Sequence, residues 1–368
     1  MKELSNLTDD ELKSLYNETK NKIVKYNIIQ NTKKTQLNSA YGACGNSYFR
    51  FYDVRLAEAI TVSGQFIIRW VEKYINEYLN SYLKTKDKDY VIGMDTDSTY
   101  INLQSVVDGA CESSLVEDRI EFLDQFTKNQ LQPCINACFD RLAEYMNVYA
   151  NKISMKREIL ASRGFWTRKK RYALSVYDSE GVRYKEPKIK IVGLDSVRSS
   201  TAVGCRPKLK ELTKLILQTD EETVMDYIQS FKDDFAKMSL DDIAIPCGMN
   251  NLKKYSDPNK IFIKGSPVQV KAALIYNAKL RERGVELKYP PIVDGTKGKY
   301  VFLKKPNPIF EAVVAYNEML PPEFLLQDYI DRDRLFERGF LKPTKTILDS
   351  IGWKVERTRT LSEFISYD

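Results

Sequence analysis

The stretch Tyr90-Val91-Ile92-Gly93-Met94-Asp95-Thr96-Asp97-Ser98-Thr99-Tyr100-Ile101 sets two short apolar runs on either side of a pair of carboxylates. Alternating apolar residues flanking a polar turn predict a β-hairpin. Strand side chains alternate between faces, so Asp95 and Asp97 are expected on one side of the ribbon, near its turn. Two like charges there point to a bound cation. An all-oxygen donor set without imidazole or thiolate favours a hard ion, Mg²⁺ or Mn²⁺, which completes its shell with water and phosphate. Asp, Thr and Ser are also ordinary turn residues, so the motif alone is compatible with a turn that binds nothing. An EF-hand loop is excluded, because the sixth position after Asp95 lacks glycine and no Glu closes the loop.

Composition narrows the class. The chain has 368 residues, enough for two or three units with their own cores. No apolar run approaches the roughly 20 residues that span a bilayer. The opening Met1-Lys2-Glu3-Leu4-Ser5-Asn6 is polar rather than signal-like, so the cytoplasm is the expected compartment. There is no histidine, which removes every mechanism that needs an imidazole from this chain. Of the six cysteines only Cys134 and Cys138 are close in sequence, so free thiols in a reducing compartment are expected rather than a zinc site.

Net charge is +7, but it is concentrated: Lys152 to Lys190 holds twelve basic residues against four acidic ones. The rest of the chain is close to neutral. A local basic patch of this kind tracks a phosphate backbone, the plain alternative being a solvated basic face.

Along the chain, Leu12, Leu15, Tyr16, Ile23, Val24, Ile28 and Leu37 recur at helical intervals before Gly42 and Gly45, read as two helices with a break near Asn21. Asp53 is a candidate N-cap for a helix through Ile60, Ile67, Ile68, Val71, Ile75 and Leu79. Val116 to Tyr149 reads as helical. Ile153 to Ile159, Tyr172 to Asp178 and Lys188 to Gly193 read as strands with the basic cluster between the first two. Beyond Leu194, helices around Leu209 to Leu217 and Glu221 to Met238 predict a second, mostly helical domain. The expected class is α+β, a small antiparallel sheet with packed helices.

On the first helix Lys34, Asn38 and Tyr41 fall at i, i+4 and i+7, so an ammonium, a carboxamide and a phenol share one face. That face has the chemistry to meet a nucleotide: point charge for a triphosphate, hydrogen bonds, and a flat ring for a base or sugar. The alternative is an ordinary helix surface with a buried tyrosine.

Lys34-Thr35-Gln36-Leu37-Asn38-Ser39-Ala40-Tyr41-Gly42, then Asp95-Thr96-Asp97-Ser98, then Lys169-Lys170-Arg171-Tyr172 occur in the order and at about the spacing of family B DNA polymerases. Phe49-Arg50-Phe51-Tyr52-Asp53, Gly164-Phe165-Trp166 and Ser199-Ser200-Thr201 extend the resemblance to the replicative polymerases of T-even-type bacteriophages. It weakens in the last third, where Asp294-Gly295 and Phe340-Leu341-Lys342-Pro343 carry it.

The resemblance implies a division into part of the fingers (1–46), the palm (47–193) and the thumb with a tail (194–368). It implies catalytic roles for Asp97, Asp95 and Lys34, metal ligation by Asp97 and Asp95 with Glu158 outlying, and nucleotide binding by Lys34, Asn38 and Tyr41. It places Lys169, Lys170, Arg171, Tyr172, Ser199 and Ser200 against primer-template DNA, and dNTP as substrate. The family's amino-terminal and exonuclease domains, its first fingers helix and the palm strand with a further metal-binding aspartate have no counterpart here. The expected partner is therefore a separate amino-terminal chain, although a truncated polypeptide would read identically. In the tail, Leu361, Phe364, Ile365 and Tyr367 could bind a sliding clamp or simply pack on the thumb. If phage-encoded, the protein is expected in the host bacterial cytoplasm. The competing reading is a polymerase-derived half that binds DNA without chemistry. Reverse transcriptases and RNA polymerases share paired carboxylates but not the Lys34 to Gly42 segment beside Lys169 to Tyr172.

Overall fold

The computed structural model describes residues 7–355. The candidate clamp residues Leu361, Phe364, Ile365 and Tyr367 lie outside them. The chain forms two compact units. One takes the described residues up to Ser113 together with Gln125–Lys156, and the other takes Ser114–Asp124 and the described residues from Arg157 onward.

The first unit begins with α1, Asp9–Cys44, a single helix of 36 residues. Thr8 and Glu11 form a reciprocal capping box, and Asp9, Asp10 and Glu11 place negative charge at the positive end of the helix dipole. The expected break near Asn21 does not occur. No Gly or Pro interrupts residues 9–41, and one asparagine lowers helix propensity without removing a backbone hydrogen bond. None of the described α1 side chains is buried. After Gly45 the chain turns back, and Asp53 caps α2, Val54–Leu83, by accepting from the Arg55 amide.

α2 is divided along its length. Its second half buries Ile68, Val71, Ile75 and Leu79, spaced three and four apart, while Leu56, Ile60 and Val62 in the first half are exposed. The buried stripe packs on α5, Gln132–Tyr145, which contributes Ile135, Cys138, Phe139 and Leu142. A π-helical turn, Thr127–Leu131, joins α5 to the preceding α4, Val116–Phe126, so the Val116 to Tyr149 helix is an interrupted one. Between α2 and α4 lie the hairpin β1, Val91–Asp95, and β2, Ser98–Ile101, and the short α3, Gln104–Ala110.

Two asparagines one turn apart on α2 fix the approach to the hairpin. The Asn76 side-chain oxygen accepts from the amides of Tyr90 (2.8 Å) and Val91 (3.2 Å), and its NH2 group donates to Asp89 (2.8 Å). Asn80 donates to the Lys88 carbonyl (2.7 Å) and accepts from the Lys88 amide and the Thr85 hydroxyl. Tyr90 itself is buried, and its hydroxyl meets that of Thr85 at 2.8 Å.

The second unit opens with an antiparallel sheet in the order β3-β4-β5: Ile159–Arg168, Arg171–Ser179 and Val182–Val192. Of the expected strand at Ile153 to Ile159 only Ile159 lies in the ladder, preceded by one backbone bond from the Glu180 amide to the Glu158 carbonyl. The inner strand β4 is nearly all buried, and Gly164 gives it room: a Cβ there would stand 2.4 Å from the Leu174 side chain. At the far end of the strand, buried Asp178 is held by Arg157 and Arg183, which also pair with Asp124.

The rest of this unit is built around one apolar core. Helices α6, Cys205–Gln218, and α7, Glu221–Phe235, are followed by the one-turn α8, Leu240–Ile243, the strand β6, Ile245–Met249, and the one-turn α9, Leu252–Tyr255. A two-residue ladder, β7 (Ser256–Asp257) with β8 (Ile261–Phe262), leads to α10, Val268–Arg283. β9, Thr296–Phe302, and β10, Val313–Tyr316, complete a second antiparallel sheet in the order β10-β9-β6. The segment beyond Leu194 is thus mixed, not simply helical. α11, Arg332–Phe336, and α12, Lys342–Ile351, close it, with Phe336 and Phe340 meeting Phe231 of α7. Asp294 and Gly295 serve structure: Asp294 accepts from the Leu252 amide at 2.7 Å, and Gly295 takes a φ of 87°.

Asn76→Ala is expected to cost about 1–3 kcal/mol, because the buried Tyr90 amide loses its acceptor. Amide hydrogen exchange should show it locally, with Tyr90 exchanging at least about tenfold faster than in the parent chain.

Candidate active site and nucleic-acid interface

The hairpin tip holds the carboxylates. The β1–β2 ladder ends at the pair Asp95–Ser98, leaving Thr96 and Asp97 as the turn. Asp97 is therefore a turn residue, and strand alternation does not set its direction. What brings it to Asp95 is the turn itself: the Asp97 amide donates to the Asp95 carbonyl at 2.7 Å, an i to i+2 closure. Thr96 between them has a φ of 59°, a costly value for a β-branched residue, and its hydroxyl donates to an Asp95 carboxylate oxygen at 3.0 Å. Asp97 and Thr96 are exposed and Asp95 is half-buried.

The donor chemistry suits a hard divalent ion, but it is incomplete. Among the described residues no group of three or more His, Cys, Asp or Glu could hold a metal. Glu158 belongs to the second unit, on the extended segment before β3, where it is exposed and 3.7 Å from Lys190; its carbonyl accepts from the Glu180 amide. The cysteines offer no alternative site. Burial pushes the Cys134 and Cys138 thiols up to about 11 and those of Cys205 and Cys247 up to about 12, so they stay protonated at neutral pH, and all six are free.

Lys34, Asn38 and Tyr41 all lie on the unbroken α1, so they do share a face, and all three are exposed. Tyr41 is a surface tyrosine, not a buried one. The three Cα positions span about 10 Å of helix axis.

In the second unit the basic cluster is the turn of the β3–β4 hairpin. Arg168 pairs with Arg171, so Lys169 and Lys170 form the exposed tip, Lys170 with a φ of 62°. The flanking residues face another way. Arg171 is half-buried and engaged with Asp195 and the Gly193 carbonyl. Tyr172 is only 7% exposed, its ring 5.9 Å from that of Trp166. Ser199 and Ser200 lie on an exposed turn after the 3-10 turn Asp195–Val197. Sequence reading missed Asn76, Asn80, Thr96 and Asp195 as supports; of these only Asp89-Tyr90 following an Asn-rich helix end offered any signal.

The model of DNA polymerase family B matches residues 9–256, and the chain belongs to that family. It is similar to the DNA-directed DNA polymerase of Enterobacteria phage T4, 35% identical over 375 aligned positions that take in 98% of this chain and 41% of the relative. It is also similar to the DNA-directed DNA polymerase of Escherichia phage RB69, 32% identical, covering 92% of this chain and 38% of that protein. The chain spans about two fifths of the length of these relatives. Among the described residues no helix is long and apolar enough to cross a membrane.

The strain at Thr96 is measurable. Thr96→Gly should leave stability within about 0.5 kcal/mol of the parent, because relief of the left-handed penalty of roughly 1–2 kcal/mol is offset by the extra chain entropy of glycine and by loss of the Thr96 hydroxyl's bond to Asp95. A urea denaturation midpoint lowered by the equivalent of about 1 kcal/mol or more would show that Thr96 is unstrained.

Proposed function

We propose that this chain is the carboxy-terminal part of a DNA-directed DNA polymerase, extending a primer 3′-hydroxyl with dNTPs as a template directs. It works together with an amino-terminal polymerase/exonuclease chain. The observation that carries this reading is the pair of carboxylates at a strained hairpin tip, in a chain that belongs to family B and spans two fifths of its relatives.

Asp97, with Asp95 beside it, is the main holder of Mg²⁺ or Mn²⁺, and Glu158 is an outlying carboxylate; the partner supplies the carboxylate that these residues lack. When bound, the ions stabilise the attacking and leaving oxygens of an in-line displacement. Lys34 on α1 meets the triphosphate, Asn38 positions it by hydrogen bonds, and the exposed Tyr41 ring abuts the nascent base pair. Lys169 and Lys170 grip the primer by its phosphates, with Ser199 and Ser200 as lesser polar contacts. In functional terms α1 belongs to the fingers, the segment to Gly193 to the palm, and the remainder to the thumb. Leu15, Ile23, Val24, Ile28 and Leu37 are exposed along α1 but spread around its circumference, so they mark no single interaction face. If phage-encoded, the chain works in the host bacterial cytoplasm. A sliding clamp engages the tail through Leu361, Phe364, Ile365 and Tyr367.

The purified chain alone should extend no primer, and adding the amino-terminal partner should restore synthesis with dNTPs and not rNTPs. Asp97→Ala should abolish synthesis by the assembled enzyme, a loss of at least about a thousandfold, without preventing assembly. Robust extension by the single chain would overturn the partner requirement. DNA binding without synthesis in the assembled pair would instead favour a non-catalytic half.

Deletion of residues 361–368 should reduce clamp-dependent processivity and leave short-gap filling intact. Equal loss in both assays would assign the tail to packing.

A further inference from the structure

The Lys169–Lys170 turn is braced by a segment distant in sequence. Arg171, the first residue after it, sends Nε to the Gly193 carbonyl (3.1 Å) and Nη2 to the Asp195 carboxylate (2.6 Å). Its guanidinium is about a quarter exposed, and Asp195 equally so. Backbone contact reinforces this link. Gly193 has a φ of 64°, and a Cβ there would stand 2.3 Å from the Lys170 carbonyl and 3.2 Å from Arg171 Cγ. The chain at residue 193 therefore lies flush against the turn's own peptide, an approach that only glycine permits.

The same segment leads to the Ser199–Ser200 turn and holds it too. The Asp195 carbonyl accepts from the Thr201 hydroxyl at 2.6 Å. Arg206 donates to the carbonyls of Thr201 (2.9 Å) and Ser199 (3.0 Å). Each arginine gives its Nε and Nη2 donors to protein acceptors and so holds one of the two exposed turns.

We infer that Arg171 and Asp195 are a positioning pair that sets the Lys169–Lys170 turn and the Ser199–Ser200 turn as one grip on duplex DNA, and that Arg171 is not a phosphate ligand. The inference rests on the proposed grip by Lys169 and Lys170. The fork of a guanidinium is what the geometry uses: one edge reaches a carbonyl while another reaches a carboxylate, which an ammonium cannot reproduce. Asp195 thus favours DNA binding although its charge repels phosphate.

The test is fluorescence anisotropy of a labelled primer-template duplex with the full 368-residue chain, read as affinity against salt. Lys170→Ala should weaken binding and lower the slope of log affinity against log salt by about one. Arg171→Gln and Asp195→Asn should each weaken binding by about fivefold to tenfold with the slope unchanged. The double variant should be no weaker than the worse single one. Arg171→Lys, which retains charge and is the mildest for folding, should behave like Arg171→Gln. A slope lowered by about one in Arg171→Gln, full binding by Arg171→Lys, or tighter binding by Asp195→Asn would each overturn the inference. No effect of Lys170→Ala, or no binding by the parent chain, would overturn the underlying interface reading instead.

Discussion

The Asn76 side chain serves two successive amides at the start of β1 and holds Asp89 with its own NH2 group. The hairpin needs such an anchor, because a two-stranded ribbon has too little surface to be stable alone. β1 and β2 are five and four residues long, and only Val91 in them is buried. Their position is therefore inherited from α2, whose buried stripe of Ile68, Val71, Ile75 and Leu79 lies against α5. The acidic tip stands on a chain of support running from α5 through α2 and one carboxamide to the hairpin. Hydrophobic burial supplies the energy at the base, and directional hydrogen bonds supply the aim at the top.

The second unit solves a similar problem with charge. β4 is buried over most of its length, yet carries Asp178 at its end and Arg171 at its beginning. Each is paired. Asp178 has Arg157 and Arg183, and Arg171 has Asp195 and a carbonyl. Removing one member of a buried pair costs about 3–5 kcal/mol, since the other is left uncompensated. Of the basic residues concentrated between Lys152 and Lys190, at least four, Arg157, Arg171, Arg183 and Lys190, are thus paired with the protein's own carboxylates. The charge left unpaired in that window is therefore smaller than the sequence count.

Local pattern exposed much of this in the sequence and missed what depends on distant contact. The hairpin at Tyr90 to Ile101, the Asp53 cap and the shared face of Lys34, Asn38 and Tyr41 follow from periodicity and turn chemistry within a dozen residues. The break near Asn21 gives that residue too much weight: it is one of five asparagines in α1, and a cooperative helix carries each of them without losing a backbone hydrogen bond. Ile153 to Ile159 has strand-forming residues, yet the ladder with β4 starts only at Ile159. Asp97 was assigned by strand alternation and lies in a turn, where a hydrogen bond sets its place. Arg171 looked like its lysine neighbours, because nothing local reveals an acceptor 24 residues away. The pairing of β6 with β9 joins residues some fifty apart, beyond the reach of any window.

α1 has mechanical properties that follow from its dimensions. At 36 residues it is about 54 Å long, and its rigidity comes from its own hydrogen bonds. Lys34, Asn38 and Tyr41 lie near its root, beside Gly45, while Leu15 and Tyr16 lie near its amino-terminal end. For a pivot of about 10° at Gly45, the 1.5 Å rise per residue carries Asp9 roughly 9 Å and Lys34 only about 3 Å. The helix is a lever with Lys34, Asn38 and Tyr41 on the short arm. A molecule gripping the long arm would steer those residues finely, trading large displacement at the tip for small, controlled adjustment at the base.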